Sequence, residues 1–432
     1  MIKRQLLLAA LLGSLCSNAL AGGFSIRGKS ASGLGNGTAG TAVLAEDASV
    51  VYNNPAAMQD LDGTHFSAVL HTIVSDLRFE DGGSNISGPA SSTVDDPHLV
   101  PNLYYVRTVG NDLRFGLGIY APYGLGLDYD DDWKGRYITT GTDLQVVNFS
   151  PALSWRASDK LNLGAGIDLQ YINATLENAV DFGTICYGIA NPADCFAAGM
   201  APQQNDGSQT LTGNNWALGY SLGLTYDIDT LTRLGMSFHS ATRHDIEGDS
   251  DFEGAPALLQ AMDMFTDTGG ALELELPETL SLGLSRQVSP QLMLLADATW
   301  TRWSRYDELV VEFDNNTPTS SSPQNWNDTW RLSVGGNYRL NERWLLRAGF
   351  SHDPSPIPDA QLLSPRVPDT TRNWLSLGSR TRINSEMELD MALAYTPQQS
   401  YRIDNTDSMG HNLKGEYESE ILYLTLQFNW QL

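Results

Sequence analysis

From about residue 64 onward, apolar residues recur at every second position. Leu422, Leu424, Leu426, Phe428, Trp430 and Leu432 form one such series, with Thr425, Gln427, Asn429 and Gln431 between them. Successive side chains of a β-strand point to opposite faces, so this spacing predicts a strand with one apolar and one polar face. Trp330, Leu332, Val334, Tyr338 and Leu340 alternate in the same way with Arg331, Ser333, Asn337 and Arg339, and Leu218, Tyr220, Leu222 and Leu224 do so between Trp216 and Tyr226. Another strand is expected to carry Leu272, Leu274, Leu276, Leu280, Leu282 and Leu284 on one face and Glu273, Glu275 and Ser281 on the other. Segments of this kind begin near His65, Pro101, Asp112, Asp143, Lys160, Asn215, Thr232, Leu272, Gln291, Thr329, Arg343, Arg372, Glu386 and His411, fourteen in all. An even number is what closure with both ends on one side of a membrane requires.

Alternation alone also suits a soluble sandwich. Three features favour a membrane barrel. The segments run to about ten residues or more, which suits a tilted crossing better than an ordinary strand of five or six. Their polar faces include Arg, Glu and Asn, which a water-lined interior accepts and a sandwich core rejects. Aromatic residues gather at segment ends (Trp300, Trp303, Trp330, Trp344, Trp374, Tyr423 and Trp430), where interface girdles belong. The expected fold is therefore all-β, a fourteen-stranded antiparallel transmembrane β-barrel over residues 64–432. Short turns such as Asn341-Glu342 and Ser158-Asp159 would be periplasmic, and long loops over roughly 181–211 and 248–270 extracellular.

Lys3 and Arg4, the apolar run from Leu6 to Leu15, and Ala19-Leu20-Ala21 predict a secretory signal peptide over residues 1–21. Leu15 before Cys16 is too bulky for a lipid-modification signal. Losing the leader moves the formal charge from -25 by two further units, since it takes Lys3 and Arg4 with it. So acidic a chain excludes nucleic acid as a partner. It suits loops facing a lipopolysaccharide layer bridged by divalent cations. Acidic runs such as Asp128-Asp130-Asp131-Asp132 and Asp245-Glu247-Asp249-Asp251-Glu253 read as solvated loop faces. Of the two remaining cysteines, Cys186 and Cys195 would close a small disulfide loop in an oxidising compartment, with a metal site as the alternative. The seven histidines are scattered. No nucleophile elbow, phosphate loop or metal-spacing motif stands out, so neither an enzyme nor a cofactor nor a metal is expected.

Residues 22–63 do not read as strand. Ser30 to Gly40 is built from small residues, while Leu34, Val43, Leu44, Val50, Val51, Tyr52 and Met58 are too apolar for a disordered tail. A compact plug, or hatch, inside the lumen is expected there. In the second long loop, Pro256 fits a first helical position, and Leu258, Leu259, Met262 and Phe265 fall on one helical face. Phe196 and Met200 in the other loop are its expected partners, and an apolar ligand would lie between the two. Pro122 and Gly124 should weaken the ladder at one point of the third strand, because proline lacks a donor and glycine marks bends.

These residues resemble the FadL family of outer-membrane fatty-acid and hydrocarbon transporters. The likeness is carried by Phe24-Ser25-Ile26, Ser30 to Gly35, Ala45-Glu46-Asp47-Ala48 and Asn54-Pro55-Ala56. It continues through Val100-Pro101-Asn102, Tyr123-Gly124-Leu125, Trp133 with Gly135-Arg136, Thr142-Asp143-Leu144, Leu276-Pro277-Glu278, Thr301 with Trp303-Ser304, and Pro354, Pro356 and Pro358. The resemblance implies a monomer in the Gram-negative outer membrane. Its hatch would plug the lumen, its loops would form a capture groove, and a kinked third strand would open sideways. Phe24 would then sit in an interior pocket, Asn54, Pro55 and Ala56 would form the hatch turn, and Pro122, Tyr123 and Gly124 would lie at the kink. Long-chain fatty acids are the first expected ligands. At the two strand positions where fatty-acid members place cations, this chain aligns Asn178 and Val310, which keeps neutral alkanes or monoaromatics open as the alternative. Arg302, Arg305, Arg331, Arg339 and Arg347 are candidate replacements. A general porin is the third class, opposed by the plug.

Overall fold

Alternating segments pair edge to edge until the sheet meets itself. The computed structural model describes residues 23–432 except Asp96, so the expected leader lies outside the described residues. Fourteen antiparallel strands form a closed barrel. They are β1 (Thr64–Asp81), β2 (Ser91–Val94 and His98–Gly110), β3 (Leu113–Tyr120 and Gly124–Asp128), β4 (Gly141–Arg156), β5 (Leu161–Asp181), β6 (Asp206–Asp229) and β7 (Thr232–His239 and Thr242–Glu253). The circuit continues with β8 (Thr268–Leu276 and Thr279–Gln287), β9 (Leu292–Thr301 and Glu308–Phe313), β10 (Ser320–Pro323 and Thr329–Arg339), β11 (Trp344–Asp353), β12 (Arg372–Arg382), β13 (Met387–Thr406) and β14 (Asn412–Gln431). β14 pairs with β1 from His65↔Gln431 to Asp81↔Gly415, which closes the wall.

Two strands reach further than their apolar residues suggested. β6 starts at Asp206 rather than near Asn215, and β7 runs to Glu253, through residues expected to be loop. The acids from Asp245 to Glu253 accordingly lie along the outer face of a strand, alternating with buried Ile246, Ser250 and Phe252. Above the lipid an outer face has no need of apolar residues, so the pattern changes there without the strand ending.

β5 displays the change. Near its start Leu163, Ile167 and Leu169 face outward, and Asn162, Asp168 and Gln170 are buried inside. Further along, Ile172 and Ala174 are buried inside, and Asn173 and Glu177 face outward. β14 mirrors it, with Leu424 and Leu426 outside opposite Thr425 and Gln427, then Glu416 and Glu420 outside opposite Tyr417 and Ile421. In β8 the inversion coincides with a break at Pro277 and Glu278. Leu272, Leu274 and Leu276 point inward, whereas Leu282 and Leu284 point to lipid. The single leucine face expected for this strand is thus two faces, because a proline that cannot donate interrupts the ladder and the strand resumes on the opposite parity. Trp303, Trp374 and Tyr423, expected in the outer girdle, are buried inside, Trp374 and Tyr423 on the inward faces of unbroken strands, while Trp330 and Trp430 do face outward. The barrel interior therefore has two storeys, polar within the membrane and apolar above.

Residues 23–63 occupy the polar storey. They form the short helices α1 (Ala31–Gly35) and α2 (Val50–Asn53) and a 3₁₀ turn at Pro55–Asp60. Ser30 caps α1 by accepting from the Gly33 N–H at 3.1 Å. Asn54 accepts from the Ala56 N–H at 3.0 Å and donates to the carbonyls of Ala42, Leu224 and Met236 at 2.6, 3.1 and 3.2 Å. It thereby ties the turn at Pro55 and Ala56 to β6 and β7. On the opposite wall the buried Arg347 meets Glu46 at 2.5 Å and Asp390 at 2.6 Å, and Arg380 meets Asp390 at 2.9 Å. Wall glycines complete the seat, since a side chain on Gly164 would overlap the backbone of Pro55 and Ala56, and one on Gly349 the backbone of Asn36.

Substituting Gly349 with Leu is expected to unseat this segment, because the obstructing atoms are backbone and overpacking costs on the order of 1–3 kcal/mol. Limited proteolysis of the folded barrel should then cut between residues 23 and 63, where the unmodified protein resists. Undiminished protection would contradict the packing described.

Candidate functional site

Where the two storeys meet, Phe24 stands in a chamber of aromatic rings. Its ring centroid lies 5.2 Å from Trp303, 5.6 Å from Tyr306, 5.8 Å from Tyr123 and 5.9 Å from Trp326. Such edge-to-face and tilted contacts favour one arrangement of rings over simple apolar burial. Gly23 has φ +65°, and a side chain there would meet Trp326 and Trp303, so the chain enters the chamber only as glycine. Leu274, Leu276, Val311 and Leu363 continue the same apolar cluster. The indole N–H of Trp326 finds no acceptor among the described residues. The chamber offers apolar surface and no nucleophile, which suits holding an oily molecule.

Phe24 is positioned by a gap in the wall. The β2–β3 ladder runs as far as Leu103↔Ile119, and β3 breaks between Tyr120 and Gly124. Gly124–Asp128 then pairs with β4, from Gly124↔Gln145 to Asp128↔Gly141. Residues 24–26 take up the loose edge. Ser25 bridges Tyr123, the Gly124 N–H donates to the Phe24 carbonyl at 2.9 Å, and the Ile26 N–H donates to the Pro122 carbonyl at 3.0 Å. Across the gap the buried Asn102 side chain accepts from the Ala121 N–H at 3.1 Å and donates to the Lys29 carbonyl at 3.3 Å. Pro122, Tyr123 and Gly124 are thus brought together with Phe24. Asn54, Pro55 and Ala56 lie elsewhere in the segment, against β5 and β6.

The loop residues do not converge in one groove. Cys186 and Cys195 form a disulfide that joins α3 (Phe182–Ile189) to α4 (Pro192–Ala197). The expected long amphipathic helix is only α5 (Ala257–Gln260), and Asp263 and Phe265 have positive φ, which ends the helical face. Leu259 and Phe265 are buried with Val180, Phe182 and Phe252. Phe196, Leu258 and Met262 are exposed, and Met200 is half-buried. Over these loops His411 stacks on Tyr137 at 4.1 Å and bonds Asp407 at 2.7 Å and Asp181 at 3.1 Å.

Among the candidate cations, Arg302 and Arg305 are paired with Glu278, and Arg305 also meets Glu275 at 2.5 Å. Arg347 is occupied with Glu46 and Asp390. Arg339 is exposed at a turn. Among the described residues Arg331, facing the lumen, makes no ion pair with a carboxylate and donates to Thr299 Oγ1 at 3.3 Å. Sequence reasoning missed Arg366, a loop residue whose guanidinium donates to Asn178 Oδ1 at 3.1 Å. A cation from another loop therefore stands beside the position that had seemed to lack one. Nothing in the local pattern of Ser364 to Val367 signals it.

A closed barrel girdled by outward apolar residues and carrying its polar groups inside is an outer-membrane protein. Residues 12–432 match the family model described as outer membrane protein transport protein (OMPP1/FadL/TodX), and the chain belongs to that family. It is 29% identical over 411 residues to a long-chain fatty acid transport protein of Salmonella typhi, covering 92% of each chain. Its fold matches that of a FadL homologue from Pseudomonas aeruginosa with a TM-score of 0.86 at 22% identity, over 95% of this chain and 99% of that one. The toluene transporter TbuX of Ralstonia pickettii gives 0.71 at 20% identity, over 94% and 99%.

Burial disfavours the charged form of His411, but its bonds to Asp181 and Asp407 overcome this and push its pKa up to about 9. A raised folded value means that the tie is complete below the unfolded value of about 6.5 and is lost as pH rises through the folded one. Protease cleavage of the loop around Asp407 should therefore increase between pH 7 and pH 10 in the unmodified protein. In His411→Gln it should be high at both.

Proposed function

We propose that this protein carries hydrophobic small molecules passively across the outer membrane, with long-chain fatty acids as its first ligands. One observation carries the proposal: the interior is apolar above the membrane and ends in the Phe24 chamber, directly beside the break in β3. An apolar solute gains about 0.8 kcal/mol for each CH₂ it buries, so a chamber of this kind can draw it from the loops without an energy source. Phe196, Met200, Leu258 and Met262 offer exposed apolar surface for first contact, and Leu259 and Phe265 support the loop from beneath. Residues 22–63 act as the hatch. Displacing Phe24 would strain the two backbone hydrogen bonds across the break and open a way sideways into lipid. Residues 1–21 serve as the export signal, the Cys186–Cys195 bridge as a loop staple, and the acidic outer face meets lipopolysaccharide. The barrel works as a monomer and performs no catalysis.

Neutral hydrocarbons are the second ligand class. The aromatic rings around Phe24 suit a flat ring as well as a chain, and TbuX, which shares this fold, is a toluene transporter. Arg366 beside Asn178 weighs toward the acid.

A strain lacking the gene should grow poorly on a long-chain fatty acid as sole carbon source, and uptake should return with the gene. Growth and uptake unaffected by the deletion would remove the proposal. Gly124 contacts Ile26, and a side chain there would meet its Cδ1 at 3.1 Å. Gly124→Trp should reduce uptake to the level of the deletion strain, while heat-dependent gel migration reports an intact barrel. Undiminished uptake would rule out the sideways exit.

A further inference from the structure

A second cavity lies on the polar side of Phe24. It has a volume of about 70 Å³ and shares Ser25 and Tyr123 with the break in the wall. Lys29 and Arg331 line it, with His239 at its edge. Hydroxyls of Thr41, Ser281 and Thr299 face it, and no described lining residue is acidic.

Among the described residues neither of its two cations makes an ion pair, which sets them apart from four other interior arginines. Arg27, Arg305, Arg347 and Arg380 each meet a carboxylate. Lys29 is buried, and its ammonium donates only to carbonyls, those of Ile26 at 2.5 Å and Pro122 at 3.2 Å, while lying over the Tyr52 ring at 5.4 Å. Of the neighbouring acids, Asp297 feels the charge of Arg331 but makes no ion-pair contact with it. Asp297 accepts from the Gly40 N–H, and Asp168 accepts from Tyr120 and Ser150 and lies 3.8 Å from His239. Two like charges that share a cavity with no acidic residue in its described lining are costly, and an anion between them removes the cost.

We infer that this cavity is a head-group station: the carboxylate of an amphipathic ligand sits between Lys29 and Arg331 while its apolar chain lies along Tyr123 toward the Phe24 chamber. The inference rests on the transport function proposed above. Lys29 also holds the Pro122 carbonyl, so a carboxylate that engages its ammonium competes with a contact that keeps residues 24–26 against the break. Head-group recognition and opening of the wall are in this way joined at one side chain.

Binding of hexadecanoate and of hexadecanol to the purified barrel, followed by tryptophan fluorescence, tests this. Replacing Arg331 by Gln removes the charge and leaves the wall intact. Loss of a charge-assisted hydrogen bond should weaken the acid on the order of tenfold or more. The alcohol should change less than about twofold on the same reasoning, and Arg331→Lys should restore most of the acid affinity. Heat-dependent gel migration confirms that each variant is folded. In crystals soaked with 2-bromohexadecanoate, the anomalous bromine peak should fall in this cavity. Equal acid affinity in R331Q and the unmodified protein, or bromine density confined to the Phe24 chamber, would overturn the head-group station and leave the transport function standing. Failure of both acid and alcohol to bind the unmodified protein would overturn the two together.

Discussion

Backbone groups that cross lipid have no water to bond, and the ladder between β1 and β14 is what leaves none of them at an open edge. Closure dictates the rest. Once the outer face must be apolar at membrane depth, period-two geometry hands the alternate residues to the lumen, and the lumen can be polar. Above the lipid the demand on the outer face lapses, and the same geometry lets apolar residues turn inward. Ile172 and Ala174 on β5 and Tyr417 and Ile421 on β14 do so. A polar storey that can hold an N-terminal segment by hydrogen bonds, and an apolar storey that can hold oil, are two results of one strand geometry meeting two solvents.

The break in β3 is the exception that closure permits. From Leu113 to Ile119 β3 is paired on both sides and Gly124–Asp128 pairs with β4, but between Tyr120 and Gly124 the partners are the Asn102 side chain and the backbone of residues 24–26. A side chain or a short segment can let go without unravelling a ladder. The break lies where the aromatic chamber touches the wall, and losing such contacts would leave the ladders on either side intact.

Strand positions were legible in the sequence wherever lipid imposes the alternation, and β10 and the end of β14 fell where Trp330 to Leu340 and Leu422 to Leu432 put them. Legibility failed where lipid ends. The start of β6, Asp206 to Asn214, carries polar residues on its outer side and looked like loop, and Asp245 to Glu253 looked like a solvated run although it is strand. Leu276 and Leu280 share a parity in the sequence, yet Pro277 lies between them and separates their faces. Phe24 came from family likeness alone, since one phenylalanine after two glycines has no pattern. Arg366 and the pairing state of Arg331 were beyond sequence reasoning, because a cation's partners are set by strands and loops far apart in the chain.

Residues 23–63 touch every strand of the barrel, from Ser67 on β1, which receives the Ala48 N–H at 3.1 Å, to Gln427 on β14, which receives the Ala31 N–H at 2.7 Å. Made before the strands that surround it, this part of the chain can settle only after the surfaces made last have come round to meet it. Order of synthesis and order of burial run in opposite directions. The earlier-made stretch must wait, uncovered, for its own container to be built, and a cell that exports such a protein has to shelter that stretch on the way.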